Sequence, residues 1–412
     1  MQDDVVIVGG GQAALSCAVR LREAGYSGPV TIVGDEPWLP YQRPPLSKAY
    51  LLGQTTADRL QFRPREFYEK VGIDLQVGQR VIKINPAERL VTLENGKNIP
   101  FGKLVLATGS RARALPETMT RGLDGVFTLR GVTDADHLCE ALVAAKHILV
   151  IGGGYVGLEV ASIAARMGKK VTVIEMAGRV LNRVAGVPTA LAVSELHRRN
   201  GVNLVTNATL QGFLNDGGRV AGVSLTNGTK VEADMVLVAI GGVANAEVAA
   251  DAGLVAANGI MVDGFCQTSA PDIYAAGDCA VFPFYGRSIR LESVQNAVEQ
   301  GVAVANSILG KPVSYDPVPW FWSDQYDTKL QTAGLPLEYD EIVSLGSGEG
   351  SGSAFWYFRD GFAVAVDTMN DAKTHMAARR IFGARVKLQR ELLLEPEFDL
   401  LQYARVAGAA SS

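Results

Sequence analysis

The chain opens on four apolar, β-branched positions, Val5-Val6-Ile7-Val8, that stop at Gly9-Gly10-Gly11. A run of this kind suits a strand buried on both faces of a parallel sheet. From Ala13 to Arg22 the apolar positions recur at helical spacing, Gly25 closes the helix, and a second apolar run follows at Val30 to Val33. This is a βαβ unit. The same order returns at His147 to Ile151, Gly152-Gly153-Gly154, a helical stretch from Val156 to Met167, Gly168, and Val171 to Ile174. Each copy is followed by alternating segments that read as antiparallel strands: Val81 to Leu93 with a turn at Asn95-Gly96, and Val220 to Leu225 with a turn at Asn227-Gly228. Each then returns to a buried run, Leu104 to Ala107 before Thr108-Gly109 and Met235 to Ile240 before Gly241-Gly242. The repeat is one of whole domains.

After about residue 320 the texture changes. Aromatics become dense, Gly346 to Ser353 is a Gly/Ser-rich loop, and strands near Phe355 to Phe358 and Phe362 to Val366 precede a helix from about Ala372. The pattern predicts an α/β protein with two Rossmann-like nucleotide-binding domains and a C-terminal α+β domain. A length of 412 residues accommodates two or three cores.

Composition narrows the classes. A net charge of −4 argues against a broad nucleic-acid surface, which needs a large excess of Lys and Arg. The four cysteines, Cys17, Cys139, Cys266 and Cys279, are scattered without a CxxC pair, and no His cluster has metal-ligand spacing, so buried free thiols and no metal are expected. The start, Met1-Gln2-Asp3-Asp4, has neither the basic residues nor the apolar stretch of a signal peptide, and no run approaches the ~18 apolar residues of a membrane span. A cytoplasmic protein with no membrane partner is expected, with disorder limited to the Ala/Ser tail after Gly408.

The glycines carry the chemistry. Gly9-x-Gly11-x-x-Ala14 sits between a strand and a helix, as a dinucleotide fingerprint requires: a tight turn, a close approach of backbone to pyrophosphate, and a small residue where helix meets strand. The helix N-terminus offers free N–H groups to phosphate. Asp35, 24 positions after Gly11, can accept from a ribose. Gly152-x-Gly154-x-x-Gly157 repeats the arrangement, with Glu175 standing 21 positions after Gly154. A carboxylate there accepts from two ribose hydroxyls and repels a 2′-phosphate, which points to NADH. Arg179 and Arg183 lie near enough in sequence to meet such a phosphate, but Glu175 would first have to turn away. Two sites in one chain imply a hydride donor and a flavin held ring to ring.

The sequence resembles the putidaredoxin reductase and dioxygenase ferredoxin reductase family of bacterial FAD-dependent, NADH-dependent ferredoxin reductases. The likeness covers nearly the whole chain. It rests on Tyr41-Gln42-Arg43-Pro44-Pro45-Leu46-Ser47-Lys48, Leu106-Ala107-Thr108-Gly109, Gly152-Gly153-Gly154-Tyr155-Val156-Gly157-Leu158-Glu159, Ala276-Gly277-Asp278-Cys279 and Pro319-Trp320-Phe321-Trp322-Ser323-Asp324-Gln325. The resemblance implies a glutathione-reductase-like fold: FAD on residues 1–110 and 246–318, NADH on 111–245, and a C-terminal domain at 319–412. It implies FAD contacts at Gly9, Gly11, Ala13, Ala14, Asp35, Arg43, Lys48, Val81, Thr108, Gly109, Arg130, Gly277, Asp278, Val294 and Trp322. For NADH it implies Gly152, Gly154, Tyr155, Val156, Gly157, Glu159, Glu175, Arg183 and Gly241. Lys48 would lie beside the flavin, with Glu159 as its partner, and Asp278 would hold the ribityl chain unless it merely caps a helix.

Disulfide reductases of similar architecture carry cysteines against the flavin, but Trp38 to Leu52 contains none, so the electrons are expected to leave the protein. The family places Trp322 by the flavin at the partner surface and leaves Trp320 without a role. Between Asp371 and Arg390 six cations, Lys373, Arg379, Arg380, Arg385, Lys387 and Arg390, stand against one acid, a surface suited to an acidic 2Fe-2S ferredoxin. Arg290 joins them if it faces the same side. The expected acceptor is the ferredoxin of a cytochrome P-450 system. The alternatives are a dioxygenase ferredoxin, a rubredoxin, or a signalling role resembling that of apoptosis-inducing factor.

Overall fold

The computed structural model describes residues 4–346 and 352–409. Most of the Gly/Ser-rich stretch and the end of the Ala/Ser tail lie outside the described residues. The chain forms two compact units, one of Met1–Arg43, Thr56–Arg111 and Gly242–Pro317, the other of Pro44–Thr55, Ala112–Gly241 and Val318–Ser412.

In the first unit a parallel sheet runs Ile273–Ala275, Lys103–Leu106, Val5–Val8, Val30–Val33, Ile73–Gln76. The apolar opening strand is central and buried throughout, which explains its lack of alternation. The helix Gln12–Glu23 follows it and packs on a helix that the periodicity did not single out, Val294–Ile308. Their approach is close: a Cβ on Gly301 would stand 2.5 Å from the Ala13 carbonyl oxygen. The strands Val81–Asn85, Leu90–Leu93 and Asn98–Pro100 form the expected antiparallel meander.

The second unit repeats this plan. Its parallel sheet runs Asn203–Val205, Lys170–Ile174, His147–Ile151, Met235–Val238, Val126–Phe127, again with the glycine-loop strand central. Its meander is Leu210–Asp216, Arg219–Leu225, Lys230–Glu232. The segment Pro44–Thr55, expected with the first nucleotide domain, groups here instead. Leu51 is buried among Leu138, Leu142 and Val160, and the Tyr50 hydroxyl donates to Asp136 at 2.5 Å.

The C-terminal segment of this unit is a five-stranded antiparallel sheet in the order Trp320–Gln325, Thr328–Gly334, Phe362–Met369, Ser353–Arg359, Glu341–Leu345, covered by the helix Ala372–Gly383. Buried Asp367 accepts from Thr332, Thr189 and Tyr357, so three hydroxyls compensate a carboxyl that burial pushes above its usual range. That cluster ties the sheet to the helix Val187–Arg199.

Candidate active site

In the first unit Gly9 has φ +119°, and a Cβ there would lie 2.1 Å from the carbonyl oxygen of Ala107, so only glycine lets the two strand ends meet. Gly11 differs. It is the N-cap of the helix Gln12–Glu23, no side chain caps that helix, and nothing lies within 4 Å of where its Cβ would be. Uncapped N–H donors facing open space are what a pyrophosphate requires, so the residues present fit a dinucleotide. Ala14 is fully buried. Gly277, at φ +82°, would place a Cβ 3.1 Å from that of Ala13, which brings Asp278 against the head of the same helix. Asp278 accepts from Ser110 Oγ at 3.2 Å and lies in a turn before the strand Ala280–Phe284, so it caps no helix.

Asp35 follows the second strand and is exposed. Its neighbour Glu36, which the motif reading passed over, pairs with Arg43 and accepts from the Tyr41 hydroxyl at 2.5 Å. Thus Arg43 is held by the Glu36 carboxylate, with the charge of Asp278 also acting on it. Val81 begins its strand, and Val294 is the first residue of a helix whose cap, Ser293, accepts from the Asn296 N–H at 3.1 Å. The carbonyls of Thr108 and Gly109 accept from Asn245, at 2.9 and 3.0 Å, and their N–H groups face the buried Cys279 thiol. Arg290 corrects an expectation. Its side chain is only 11% exposed and donates to the Asp278 carbonyl at 2.9 Å and to Glu292 at 2.5 Å, so it is a structural tie and not a docking cation.

The second loop follows the same rules. Gly152, at φ +108°, would put a Cβ 2.4 Å from the Ala239 carbonyl oxygen, while Gly154 caps the helix Tyr155–Arg166 with nothing within 4 Å of its own Cβ position. Gly157 packs where a Cβ would lie 2.3 Å from the Gly152 oxygen, so here the third small residue has to be glycine. Tyr155 and Val156 open the helix, Val156 exposed and the Tyr155 ring 4.4 Å from that of Phe321. The Glu175 carboxylate accepts from the N–H groups of Gly153 (2.7 Å) and Ala177 (2.8 Å), one on each oxygen. Each oxygen keeps a lone pair, enough for two ribose hydroxyls. Arg179 donates to the carbonyls of Ala185 (2.6 Å) and Asn182 (3.2 Å), which removes it as a phosphate ligand. Arg183 is exposed, with Nη2 3.1 Å from where a Cβ of Gly241 would be. Arg130 lies just before the helix Val132–Ala144, its N–H bonded to Asp134 at 2.8 Å.

The densest chemistry in this unit surrounds Glu159, which is 3% exposed. Its Oε2 accepts from Lys48 Nζ at 2.8 Å and from the Ser47 hydroxyl, and its Oε1 accepts from Ser323 Oγ at 2.6 Å. Lys48 also donates to the Pro44 carbonyl at 3.2 Å. The Lys48–Glu159 pair is therefore present as expected, while Ser47 and Ser323 were missed. A signal for Ser323 existed: Trp320–Gln325 is a strand, and period-two alternation puts Phe321, Ser323 and Gln325 on one face. That face meets Tyr155, Glu159 and His197. The other face carries Trp320 and Trp322, stacked at 5.6 Å with the Arg379 guanidinium 4.1 Å over Trp320. Trp322 thus lies on the opposite face of the strand from Ser323.

Along the helix Ala372–Gly383, Lys373 and Arg380 are exposed and Arg379 is half-buried on Trp320. Arg390 pairs with Glu341 at 2.6 Å and drops out of the cationic face. The four cysteines are free, three of them buried, and burial raises every thiol, which keeps them protonated and unreactive.

A family model described as pyridine nucleotide-disulphide oxidoreductase matches residues 3–301. The chain belongs to that family. A second model, described as reductase C-terminal, matches residues 320–404. The ferredoxin reductase subunit of 5,5'-dehydrodivanillate O-demethylase from a Sphingobium species is 39% identical, over 98% of this chain and 99% of its own. Putidaredoxin reductase CamA of Pseudomonas putida is 38% identical, over 100% and 99%. Among solved structures, the ferredoxin reductase for the CYP199A2 system of Rhodopseudomonas palustris matches with a TM-score of 0.95 at 38% identity, covering 98% of this chain and 100% of that one. The enzyme is a flavoprotein of the ferredoxin reductase group, with FAD and a nicotinamide dinucleotide as cofactors. Among the described residues no helix is long and apolar enough to cross a membrane.

Proposed function

We propose that this enzyme carries electrons from NADH through FAD to a 2Fe-2S ferredoxin that serves a cytochrome P-450 monooxygenase. The observation that carries the reading is a reductase architecture matched over residues 3–301 and 320–404, with no cysteine pair and with four thiols, three buried and one half-buried, that burial keeps protonated, which favours a separate carrier as the acceptor. The monooxygenase assignment draws on the likeness to the CYP199A2-system reductase and to putidaredoxin reductase, whereas the O-demethylase relative favours an oxygenase of another type.

When bound, FAD accepts a hydride from NADH and releases the electrons one at a time. The protein's part is binding and charge. Residues 1–110 and 246–318 hold FAD through Gly9, Gly11, Ala13, Ala14, Asp35, Arg43, Val81, Thr108, Gly109, Asp278 and Val294. Residues 111–245 hold NADH. Lys48 keeps a fixed positive charge for the flavin, and Glu159, bonded on both oxygens, keeps that ammonium in place. Residues 319–412 supply the partner surface, where Trp322 and Trp320 form an aromatic face and Arg379 and Arg380 provide cations. A cytoplasmic location accords with free thiols, which persist in a reducing compartment.

Cytochrome c reduction by NADH should require added ferredoxin, and turnover that ignores ferredoxin would sink the proposal. Arg379→Glu with Arg380→Glu should raise the KM for ferredoxin about tenfold at low salt, less as salt is added, with NADH-driven flavin reduction unchanged. Glu175→Ala with Met176→Arg, the latter at a position 72% exposed, should shift the ratio of kcat/KM values for NADH over NADPH by at least about tenfold toward NADPH. An unchanged ratio would show that Glu175 does not read the ribose.

A further inference from the structure

Glu159 ends a file of buried hydrogen bonds that electron transfer as proposed does not use. Ser323 Oγ, which donates to Glu159 Oε1, is itself 2.6 Å from that oxygen and receives Gln325 Nε2 at 3.1 Å. Gln325 Oε1 lies 2.8 Å from His197 Nε2, and His197 Nδ1 lies 3.3 Å from the Tyr326 hydroxyl. Ser323 and His197 are fully buried and Gln325 is 2% exposed, so no bulk water can substitute for a lost partner.

The direction of every bond follows from the charge at one end. A carboxylate paired with an ammonium only accepts, so the single Ser323 proton points to Glu159. Ser323 then needs a donor, which turns the amide of Gln325 with Nε2 toward it and Oε1 toward His197. An oxygen there needs a donor in turn, so the His197 proton sits on Nε2 and Nδ1 accepts from Tyr326. Burial lowers the His197 pKa and keeps the ring neutral.

We propose that His197 and Gln325 are positioning residues for Glu159, acting through Ser323. Without the His197 N–H, the Gln325 amide can flip and present its oxygen to Ser323. The hydroxyl then donates to Gln325, and Glu159 Oε1 loses its bond, leaving the carboxylate held from the Lys48 side alone. A carboxylate free to swing carries Lys48 with it, which slows hydride transfer more than it weakens NADH. The inference rests on the reading of Glu159 as serving hydride transfer.

The test uses the FAD-loaded full chain. Stopped-flow reduction by NADH separates the limiting rate from the NADH Kd. His197→Phe is expected to lower the limiting rate about tenfold with the Kd within about twofold, and Gln325→Met to do the same at nearly constant volume. His197→Gln, which restores a donor near the Nε2 position, should recover most of the rate. Independently of turnover, NMR of the ring nitrogens in protein with isotope-labelled histidine, of which the chain has four, should show His197 as the neutral Nε2–H form. A His197 proton on Nδ1, or equal slowing in His197→Phe and His197→Gln, overturns the inference. Glu159→Gln serves as the reference. If it slows reduction while His197→Phe and Gln325→Met do not, the inference alone fails; if it leaves the rate unchanged, the reading of Glu159 beneath it fails.

Discussion

Replacing Lys48 with methionine is expected to slow reduction of the flavin by NADH about 100-fold while FAD stays bound, because a preorganised charge would be lost from the reacting region. The same change has a structural cost. Lys48 Nζ lies 2.8 Å from Glu159, whose side chain is 4% exposed, and removing one member of a buried pair leaves the other uncompensated. That typically costs about 3 kcal/mol or more, less here because the Ser47 and Ser323 hydroxyls remain bonded to the carboxylate. The two effects can be separated with Lys48→Met combined with Glu159→Gln. The double variant has no buried charge to leave unpaired and should regain most of the stability in urea, yet it should stay slow in stopped-flow reduction. A Lys48→Met enzyme that reduces its flavin at the normal rate would remove the lysine from the mechanism.

Gly154→Asp is expected to weaken NADH binding at least about 100-fold without harming the fold, a combination few loop substitutions offer. Gly154 has φ −82° and ψ 179°, an extended conformation open to any residue, and nothing lies within 4 Å of its Cβ position. It is the N-cap of an uncapped helix, where aspartate is among the preferred residues, so thermal stability should hold or rise. The new carboxylate would take the N–H groups intended for pyrophosphate and repel its charge. Gly152→Asp is the contrasting case, because φ +108° and a backbone oxygen 2.4 Å from its Cβ position forbid any side chain. That variant should be poorly folded. NADH titration beside thermal melting checks both, and tight NADH binding by a folded Gly154→Asp enzyme would refute the placement of the pyrophosphate.

Local chemistry made the glycine loops readable. Gly9 and Gly152 are required by a positive φ and a backbone oxygen next to them, and Gly11 and Gly154 head helices, so motif and geometry coincide. Glu175 was also legible, since the end of the second strand is a fixed number of positions from the loop. Arg290 was not: its charge suggested a surface, but Asp278 and Glu292 hold it inside, and only folding brings a carbonyl 12 positions away to its guanidinium. Pro44–Thr55 shows the same limit, for nothing in its sequence states that Leu51 belongs with Leu138 and Leu142.

By itself, the sequence determined the duplicated βαβ plan, the two glycine loops at strand-to-helix turns, and the absence of a cysteine pair beside the first loop. These depend on residue type at short range: apolar runs, backbone freedom at glycine, and inventory. Tertiary structure decided what surrounds Glu159. Ser47, the strand pair Ser323 and Gln325, and His197 come from three segments far apart in the chain. Strand alternation puts Ser323 and Gln325 on one face, but what that face meets is decided only when burial removes water and Glu159 and His197 arrive from other segments to partner them.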